Sequence, residues 1–272
     1  MAPSILIVGA PWNTGRSVAE TLPSLLKTSN ALPNHRVIAP TRSLDSPVAK
    51  QLAKLPGWLR EHEVARAFIA SHNNPNQFAE ESTFHLAALQ ANVKYVVRIS
   101  TTAANVRPDS NAYYARAHWA IEALLASPEF ERMQWTSLQP NIFSQHLLAP
   151  AVKFIQRYRK TGEQDTLKLM VAEHDPMGII DRDEVGVFAA DLLAQDDTTV
   201  HNKAKYILNG PDDITGAQTV EMIEQRIGAR VKDVSYWDLS FLESYYEHKF
   251  AARGESRNVI LSMKRAMRLV WD

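Results

Sequence analysis

The chain has 272 residues, 45% apolar and 22% charged, which suits one large globular domain or a domain with a smaller lobe. Thirty basic residues balance thirty acidic ones, so no net field draws in nucleic acid or an anionic membrane, and the lack of cysteine excludes disulfides, thiolate metal sites and a cysteine nucleophile. No apolar run is long enough to span a bilayer, and Met1-Ala2-Pro3-Ser4 leads into a strand pattern without a secretory signal, so the expected compartment is cytoplasmic.

Strand patterns fall at residues 5–8, 37–40, 67–70, 95–99 and 135–139. Helical patterns alternate with them at 14–28, 45–55, 77–91, 113–127 and from 143 onward. Such alternation predicts an α/β fold, a Rossmann-like doubly wound and mostly parallel sheet. The opening is its most specific stretch. Ile5-Leu6-Ile7-Val8 ends at Gly9, and Gly15 precedes a helical pattern. The first glycine permits a sharp turn off the strand and the last permits close helix–strand packing, leaving free N–H groups to face a diphosphate. Candidate cofactor-binding residues here are Gly9, Trp12, Asn13, Thr14, Gly15 and Arg16; Trp12 stands where a middle glycine would let the backbone approach the phosphates.

Between residues 40 and 67 there is room for one helix and a linker, with Leu55-Pro56-Gly57 reading as the helix end. The sheet is therefore expected to lack a normal third strand, its edge bare or covered by residues 56–64. After residue 148 the rhythm loosens. A helix over 181–195 has acidic residues in its first turn, a strand covers 206–208, and Asp213-Ile214-Thr215 opens a helix at 218–227 that Gly228 stops. The expected division is an NAD(P)-binding domain over 1–148 and a smaller α/β substrate lobe over 149–272, interleaved with it.

Polar residues after the strands are the remaining candidates, because loops at the carboxyl ends of parallel strands line the ligand crevice. Arg42, beside Thr41 and Ser43, occupies the place after the second strand where an NAD-preferring chain carries an acid; an arginine there suits the 2′-phosphate of NADP. Ser71, His72 and Asn73 follow the third pattern and could touch the nicotinamide ribose, although Asn and Pro residues set polar turns for their own reasons. Asn141 could contact the nicotinamide end, and Phe143 reads mainly as core. The nine histidines show no metal-binding spacing, so no metal is expected. Residues 153–160 read as a solvated basic helix face, and the aromatic-rich 236–250 as a cover over a substrate pocket or a subunit contact.

In order and spacing the glycine-rich opening, Thr41-Arg42-Ser43, Val96-Val97-Arg98-Ile99-Ser100, Tyr114-(x)3-His118-(x)3-Glu122, Gln139-Pro140-Asn141-Ile142-Phe143, Asp181-(x)-Asp183-Glu184-Val185-Gly186 and Asn209-Gly210-Pro211 resemble the NmrA-like proteins. These are atypical members of the short-chain dehydrogenase/reductase superfamily. The resemblance covers roughly residues 4–235. It implies a Rossmann domain with a small substrate lobe and NADP(H) as ligand. Some members reduce small molecules, several in fungal secondary metabolism, while others have lost catalysis and act as redox-sensing regulators. In typical superfamily members a serine orients the carbonyl, a tyrosine donates the proton, and a lysine four residues on lowers the tyrosine pKa. Ser100 and Tyr114 match the first two, but His118 stands in the lysine's place, making Tyr114 or His118 the candidate proton donor. Glu122, one turn further, lies on the helix face that could orient the imidazole.

The leading reading is an NADP(H)-dependent oxidoreductase acting on a small, fairly apolar carbonyl or enone; the alternative is a catalytically inactive NAD(P)-sensing regulator. The expected partner is a small-molecule substrate, with neither nucleic acid nor membrane, and a homodimer is allowed but not required. Replacing Arg42 by Ala should weaken NADPH far more than NADH in a fluorescence titration, since only the former carries the 2′-phosphate; equal loss for both would take Arg42 out of that role.

Overall fold

A strand that is apolar on both faces needs helices on both sides of its sheet. Ile5, Leu6 and Ile7 are all buried, as are Ala67, Phe68 and Ile69, and Val96 and Val97. The computed structural model describes residues 2–10, 13–29, 32, 34–39 and 48–268, so Trp12 and Arg42 lie outside the described residues. In chain order the first elements are β1 (Ser4–Val8), α1 (Asn13–Ser29), β2 (Arg36–Ile38), α2 (Val48–Glu61), β3 (Val64–Ile69), α3 (Gln77–Gln90), β4 (Tyr95–Ile99), α4 (Tyr113–Leu125) and β5 (Gln134–Pro140). The later ones are β6 (Ile142–Phe143), α5 (Ser144–Thr161), β7 (Leu167–Lys168), β8 (Met177–Ile180), α6 (Arg182–Ala194), β9 (Ala204–Leu208), β10 (Asp213–Ile214), α7 (Gly216–Ile227), β11 (Val234–Ser235), α8 (Phe241–Lys249), α9 (Arg257–Leu261) and α10 (Met263–Arg268).

The chain divides into two compact units. The first comprises Met1–Ser110, Tyr114–Pro140 and Arg182–Leu208. It holds a six-stranded sheet in the order β2-β1-β3-β4-β5-β9, every neighbouring pair parallel. This is the Rossmann-like arrangement expected, and among the described residues no strand lies between β2 and β3. The connection from β1 winds outward to β2, and the next returns across β1 to β3. Right-handed crossovers then place α1 and α2 on opposite faces. Side-chain alternation agrees. Leu6, Ala67, Ile69, Val96 and Trp135 pack with Leu59 of α2, Phe84 of α3 and Ile121 of α4. Ile5, Ile7 and Phe68 point to the other face, where α1 and α6 pack together.

Two boundaries depart from the sequence pattern. The helix expected to end at Leu55 continues through Pro56 and Gly57 to Glu61, and its last turn packs Trp58 and Leu59 on the sheet face. A proline inside a helix removes an amide donor and crowds the preceding turn; here the turn beyond it carries Trp58 and fully buried Leu59 into the core, which offsets that cost. Strand β3 begins at Val64, earlier than its pattern, because Arg66 interrupts the apolar run. The guanidinium of Arg66 is buried and donates to the Leu193 carbonyl at 2.9 Å, to the Asp196 carbonyl at 3.2 Å and to that of Gln195. These carbonyls close the carboxyl end of α6, where a cation complements the helix dipole.

The second unit comprises Asn111–Tyr113, Asn141–Asp181 and Asn209–Asp272. A three-stranded sheet, β10-β8-β6, and the parallel pair β11-β7 pack with α5 and α7 around Leu147, Phe154, Leu169, Val171, Met177 and Ile223. Helix α7 starts where Thr215 and Gln218 cap each other, the Thr215 hydroxyl accepting from the Gln218 amide at 3.1 Å and the Gln218 side-chain oxygen accepting from the Thr215 amide at 2.8 Å. It ends at Gly228, as expected. The 153–160 run lies on α5, where Arg157 pairs in solvent with Asp165 at 3.0 Å and Glu163 at 3.8 Å. Leu59→Ala should cost the protein about 2–5 kcal/mol in urea denaturation, because α2 would lose its buried anchor and leave a cavity; a change under about 0.5 kcal/mol would show that α2 contributes little to the core.

Candidate functional site

Strand order reverses between β1 and β3, and in open α/β sheets that reversal opens a crevice beyond the strand ends. Gly9 leaves β1 with φ +95°, a conformation that L side chains rarely adopt. A Cβ on Gly15 would lie 2.4 Å from the Gly9 carbonyl oxygen, so a bare backbone is what lets α1 start directly against the turn. Asn13 at the head of α1 has φ 41°, and its side-chain oxygen accepts from Arg182 at 2.8 Å. Thr14 and Ser17 are buried, and the Ser17 hydroxyl donates to the Asp183 carbonyl at 2.8 Å, clamping α6 onto the first turns of α1. The first turn of α1 carries no acidic residue, leaving its amides and dipole free of competing negative charge. A glycine-bounded, acid-free helix start at the switch point fits a dinucleotide's diphosphate. Arg16 points along the helix surface, pairing with Glu20 at 3.6 Å in solvent.

The loop after β3 meets this turn: a Cβ on Gly9 would come within 3.2 Å of the Ala70 carbonyl oxygen. Next along the loop come Ser71 and His72, both part-buried. The His72 ring accepts from the Asn74 amide at 3.2 Å through Nδ1 and hydrogen-bonds Glu80 at 2.8 Å through Nε2. This local arrangement is a polar turn at the head of α3.

Beneath the ends of β3 and β4 lies a buried polar cluster. Arg98 of β4 is fully buried. Its Nε donates to Glu81 at 2.7 Å, its Nη1 to Ser137 at 3.1 Å and toward Glu122 at 3.5 Å, and its Nη2 to His118 Nδ1 at 2.8 Å. Glu122 also accepts from Ser137 at 2.7 Å, Ser100 at 2.8 Å and Gln139 at 3.1 Å, and pairs with Lys205 of β9 at 2.9 Å. Burial alone would raise both carboxyl groups. For Glu81 the Arg98 charge and the His85 hydrogen bond outweigh burial and hold it well below the usual carboxylate range. For Glu122, Arg98, Lys205 and the serine hydroxyls outweigh burial and lower it from its ordinary value.

The histidine at the centre is fixed in its tautomer. A guanidinium only donates, so His118 Nδ1 must be the bare nitrogen. Burial, reinforced by the Arg98 charge, pushes the imidazole down to about 3, so it is neutral with its proton on Nε2. That nitrogen lies 3.2 Å from the side-chain oxygen of Asn73. With His118 and His85 uncharged, Arg98 and Lys205 balance Glu81 and Glu122 one for one. Tyr114 stands apart from the ion pairs. Its ring meets His118 edge-on at 6.2 Å, and its hydroxyl accepts from Thr101 at 3.4 Å. Burial raises its phenol above the ordinary value, and the Thr101 hydrogen bond offsets part of the rise.

The structure thus gathers Ser100, Tyr114 and His118 at the end of β4, but with different partners from those expected. Ser100 turns inward to Glu122, and Thr101 is the hydroxyl beside Tyr114. Glu122 serves the arginine and lysine, while His118 is oriented by Arg98. Asn141 belongs to the second unit, where its side-chain oxygen accepts from the Ile142 amide at 2.9 Å. That unit also has a groove of about 310 Å³, lined in part by His146, Ala149, Pro150, Met170 and Phe241. Sequence reasoning passed over Arg98, Glu81, Lys205 and Arg182. The one local signal was Arg98 itself, a charge inside the apolar run Tyr-Val-Val-Arg-Ile, which demands buried acceptors.

No protein-family model matches the chain. An oxidoreductase of Bacillus subtilis, YesF, itself uncharacterized, is 26% identical over 158 residues, which are 58% of this chain and 47% of that protein. The chain thus spans about half the length of the curated relative it matches. Solved structures agree over nearly the whole chain. The NADPH-dependent quinone oxidoreductase QOR2 of Escherichia coli, complexed with NADPH, has a TM-score of 0.66 at 19% identity, covering 98% of this chain and 91% of that one. Citrobacter sp. triphenylmethane reductase, complexed with NADP(H), has 0.64 at 14% identity, covering 99% and 90%. A nucleoside-diphosphate-sugar epimerase of Staphylococcus aureus has 0.67 at 14% identity, covering 99% and 91%. At these identities the likeness speaks for the fold.

A histidine kept neutral by folding makes stability depend on pH. Unfolded, His118 protonates near 6.5; folded, only at about 3, so stability is lost as pH falls from 6.5 toward 3. Glu81 acts in the same direction at lower pH, its contribution present above the ordinary carboxylate pKa and lost below it. Between pH 7 and pH 5 the unfolding free energy of the unaltered protein should fall by about 2 kcal/mol more than that of His118→Gln, measured by urea titration. Equal slopes would mean that the imidazole is charged in the fold.

Proposed function

We propose that the chain is an NADP(H)-dependent oxidoreductase that reduces a small, fairly apolar carbonyl or enone, with Tyr114 as the proton donor. The observation that carries this is the acid-free helix start between Gly9 and Gly15, at the switch point of a parallel sheet in which Thr101, just past the end of β4, hydrogen-bonds Tyr114 in the first turn of α4. In this reading Gly9, Asn13, Thr14 and Gly15 hold the diphosphate, and Arg42 selects the 2′-phosphate. When bound, the reduced coenzyme supplies a hydride.

The chain's own part is to exclude water, orient the acceptor and deliver a proton. Tyr114 is suited to this within limits. His118, four residues on, is neutral, and Thr101 is the hydrogen-bond partner Tyr114 has among the described residues. A phenol with a raised pKa is a weak acid at neutral pH. It matches acceptors whose reduced oxygen is itself only phenol-like in basicity, such as quinones and extended enones. It serves a simple ketone poorly, since the alkoxide formed is far more basic. The name of QOR2, an NADPH-dependent quinone oxidoreductase, supports the same choice. A place in secondary-metabolite biosynthesis rests on the family resemblance.

A second reading, a nucleotide-sensing regulator without turnover, is favoured by the same neutral histidine. Titration with NADPH followed by consumption assays on a panel of naphthoquinones and enones separates the two. Binding with turnover supports the enzyme, binding without turnover supports the sensor, and no binding removes both. Tyr114→Phe should lower kcat by about 100-fold or more while leaving NADPH binding unchanged, the scale expected for loss of general acid catalysis. Full activity in that variant would dismiss the phenol as donor.

A further inference from the structure

We propose that Asn73 is the chain's hydrogen-bond grip on the nicotinamide half of the coenzyme, and that His118 is the positioning residue that aims it. The inference rests on the coenzyme reading above and assigns to two residues a task that the glycine turn cannot perform.

Asn73 is exposed, in the loop that leaves β3 beside the glycine turn. An exposed asparagine ordinarily turns freely, yet this one is tied at one end to the buried cluster. The chain of constraints runs outward. Arg98 can only donate, so it takes the lone pair of His118 Nδ1 at 2.8 Å. His118 must then carry its proton on Nε2, which can only donate in turn; the Gln77 side-chain nitrogen, itself a donor, lies 3.1 Å from Nδ1 and 3.3 Å from Nε2, so the acceptor facing Nε2 is Asn73 Oδ1 at 3.2 Å. The amide oxygen of Asn73 is thereby turned inward and its nitrogen outward. No hydrogen bond among the described residues uses the two N–H groups of that nitrogen. The result is a pre-oriented double donor at the carboxyl end of the central strand, backed by a fully buried arginine whose position Glu81 and Glu122 fix.

Its ligand should present oxygens that accept, without a formal charge. The nicotinamide carboxamide and its ribose hydroxyls are such groups, and they lie at the end of the dinucleotide remote from the 2′-phosphate. Neighbouring His72 makes a poorer grip, since Asn74 and Glu80 engage both of its ring nitrogens. The pinning also explains why a histidine can stand four residues after Tyr114 without a charge: its work is to donate one hydrogen bond toward the loop after β3.

The test uses calorimetry with two ligands, NADPH and adenosine 2′,5′-bisphosphate, which has the phosphorylated ribose but no nicotinamide. Asn73→Ala should raise the Kd for NADPH by about 3- to 10-fold, the range for one uncharged hydrogen bond, and leave the bisphosphate within twofold. His118→Leu should give the same pattern, His118→Gln, which keeps a donor at the Nε2 position, should restore most of the affinity, and Asn73→Ala/His118→Leu should be no worse than Asn73→Ala alone. Should His118→Leu fail to fold, the Asn73 variant still decides, since its side chain is on the surface. If Asn73→Ala binds NADPH as the unaltered protein does, or loses both ligands equally, the assignment is overturned. If the unaltered protein binds neither ligand, the coenzyme reading itself falls.

Discussion

Everything at the centre of this molecule answers to one guanidinium. Arg98 sits in the middle strand of a sandwich with no access to water, and it cannot shed its proton. Each atom facing it must therefore be an acceptor. That single requirement brings Glu81 from α3 and Glu122 from α4 onto the same sheet face, strips the proton from one side of His118, and engages the Ser137 hydroxyl. Burying an ion pair is costly, and taking away one member of such a pair is costlier than never having it. The cluster meets the problem by balance: two cations, two anions and two uncharged imidazoles, with Lys205 half in solvent. The two helices nearest the strand ends are thus anchored by polar as well as apolar contacts.

What could be read from the sequence was what is encoded locally. The Gly9–Gly15 spacing gave the turn after β1 and the start of α1, Thr215 and Gly228 bounded α7, and the short interval between β2 and β3 pointed to a missing strand, none lying there among the described residues. Features decided by distant partners were hidden. Pro56-Gly57 looks like a helix end unless one knows that Leu59 has a core to enter. Arg66 masks the start of β3 because the carbonyls that justify it lie more than a hundred residues later. The polar site shows the same limit. Tyr114, His118 and Glu122 share a helix and could be picked out together, yet His118 is oriented from β4, and the carboxylate serves β4, β5 and β9. Spacing along one helix places residues on a common face; it does not say what waits on the opposite side.

The neutrality of His118 also limits the chemistry that can be ascribed to the site. A cation beside a phenol makes it a better acid; a neutral imidazole edge-on to Tyr114 does not. The site is therefore built around directed hydrogen bonds at the strand ends, with its charges satisfied one layer below. Such an arrangement favours recognition of uncharged oxygens and acceptors that need little acid assistance.

The discontinuity of the first unit has a consequence for how the protein is made. The chain leaves this unit after Pro140 and re-enters it at Arg182 to contribute α6 and β9. Until that return, β5 is an open flank of the growing sheet, one face has α1 but not α6, and Glu122 lacks its lysine. A nascent polypeptide must therefore hold an unfinished layer, with an unpaired strand edge, while the ribosome adds the forty or so residues of the intervening excursion. The sheet is closed on that side only when residues 204–208 pair with β5, so the last strand to be added is the one that caps its exposed edge.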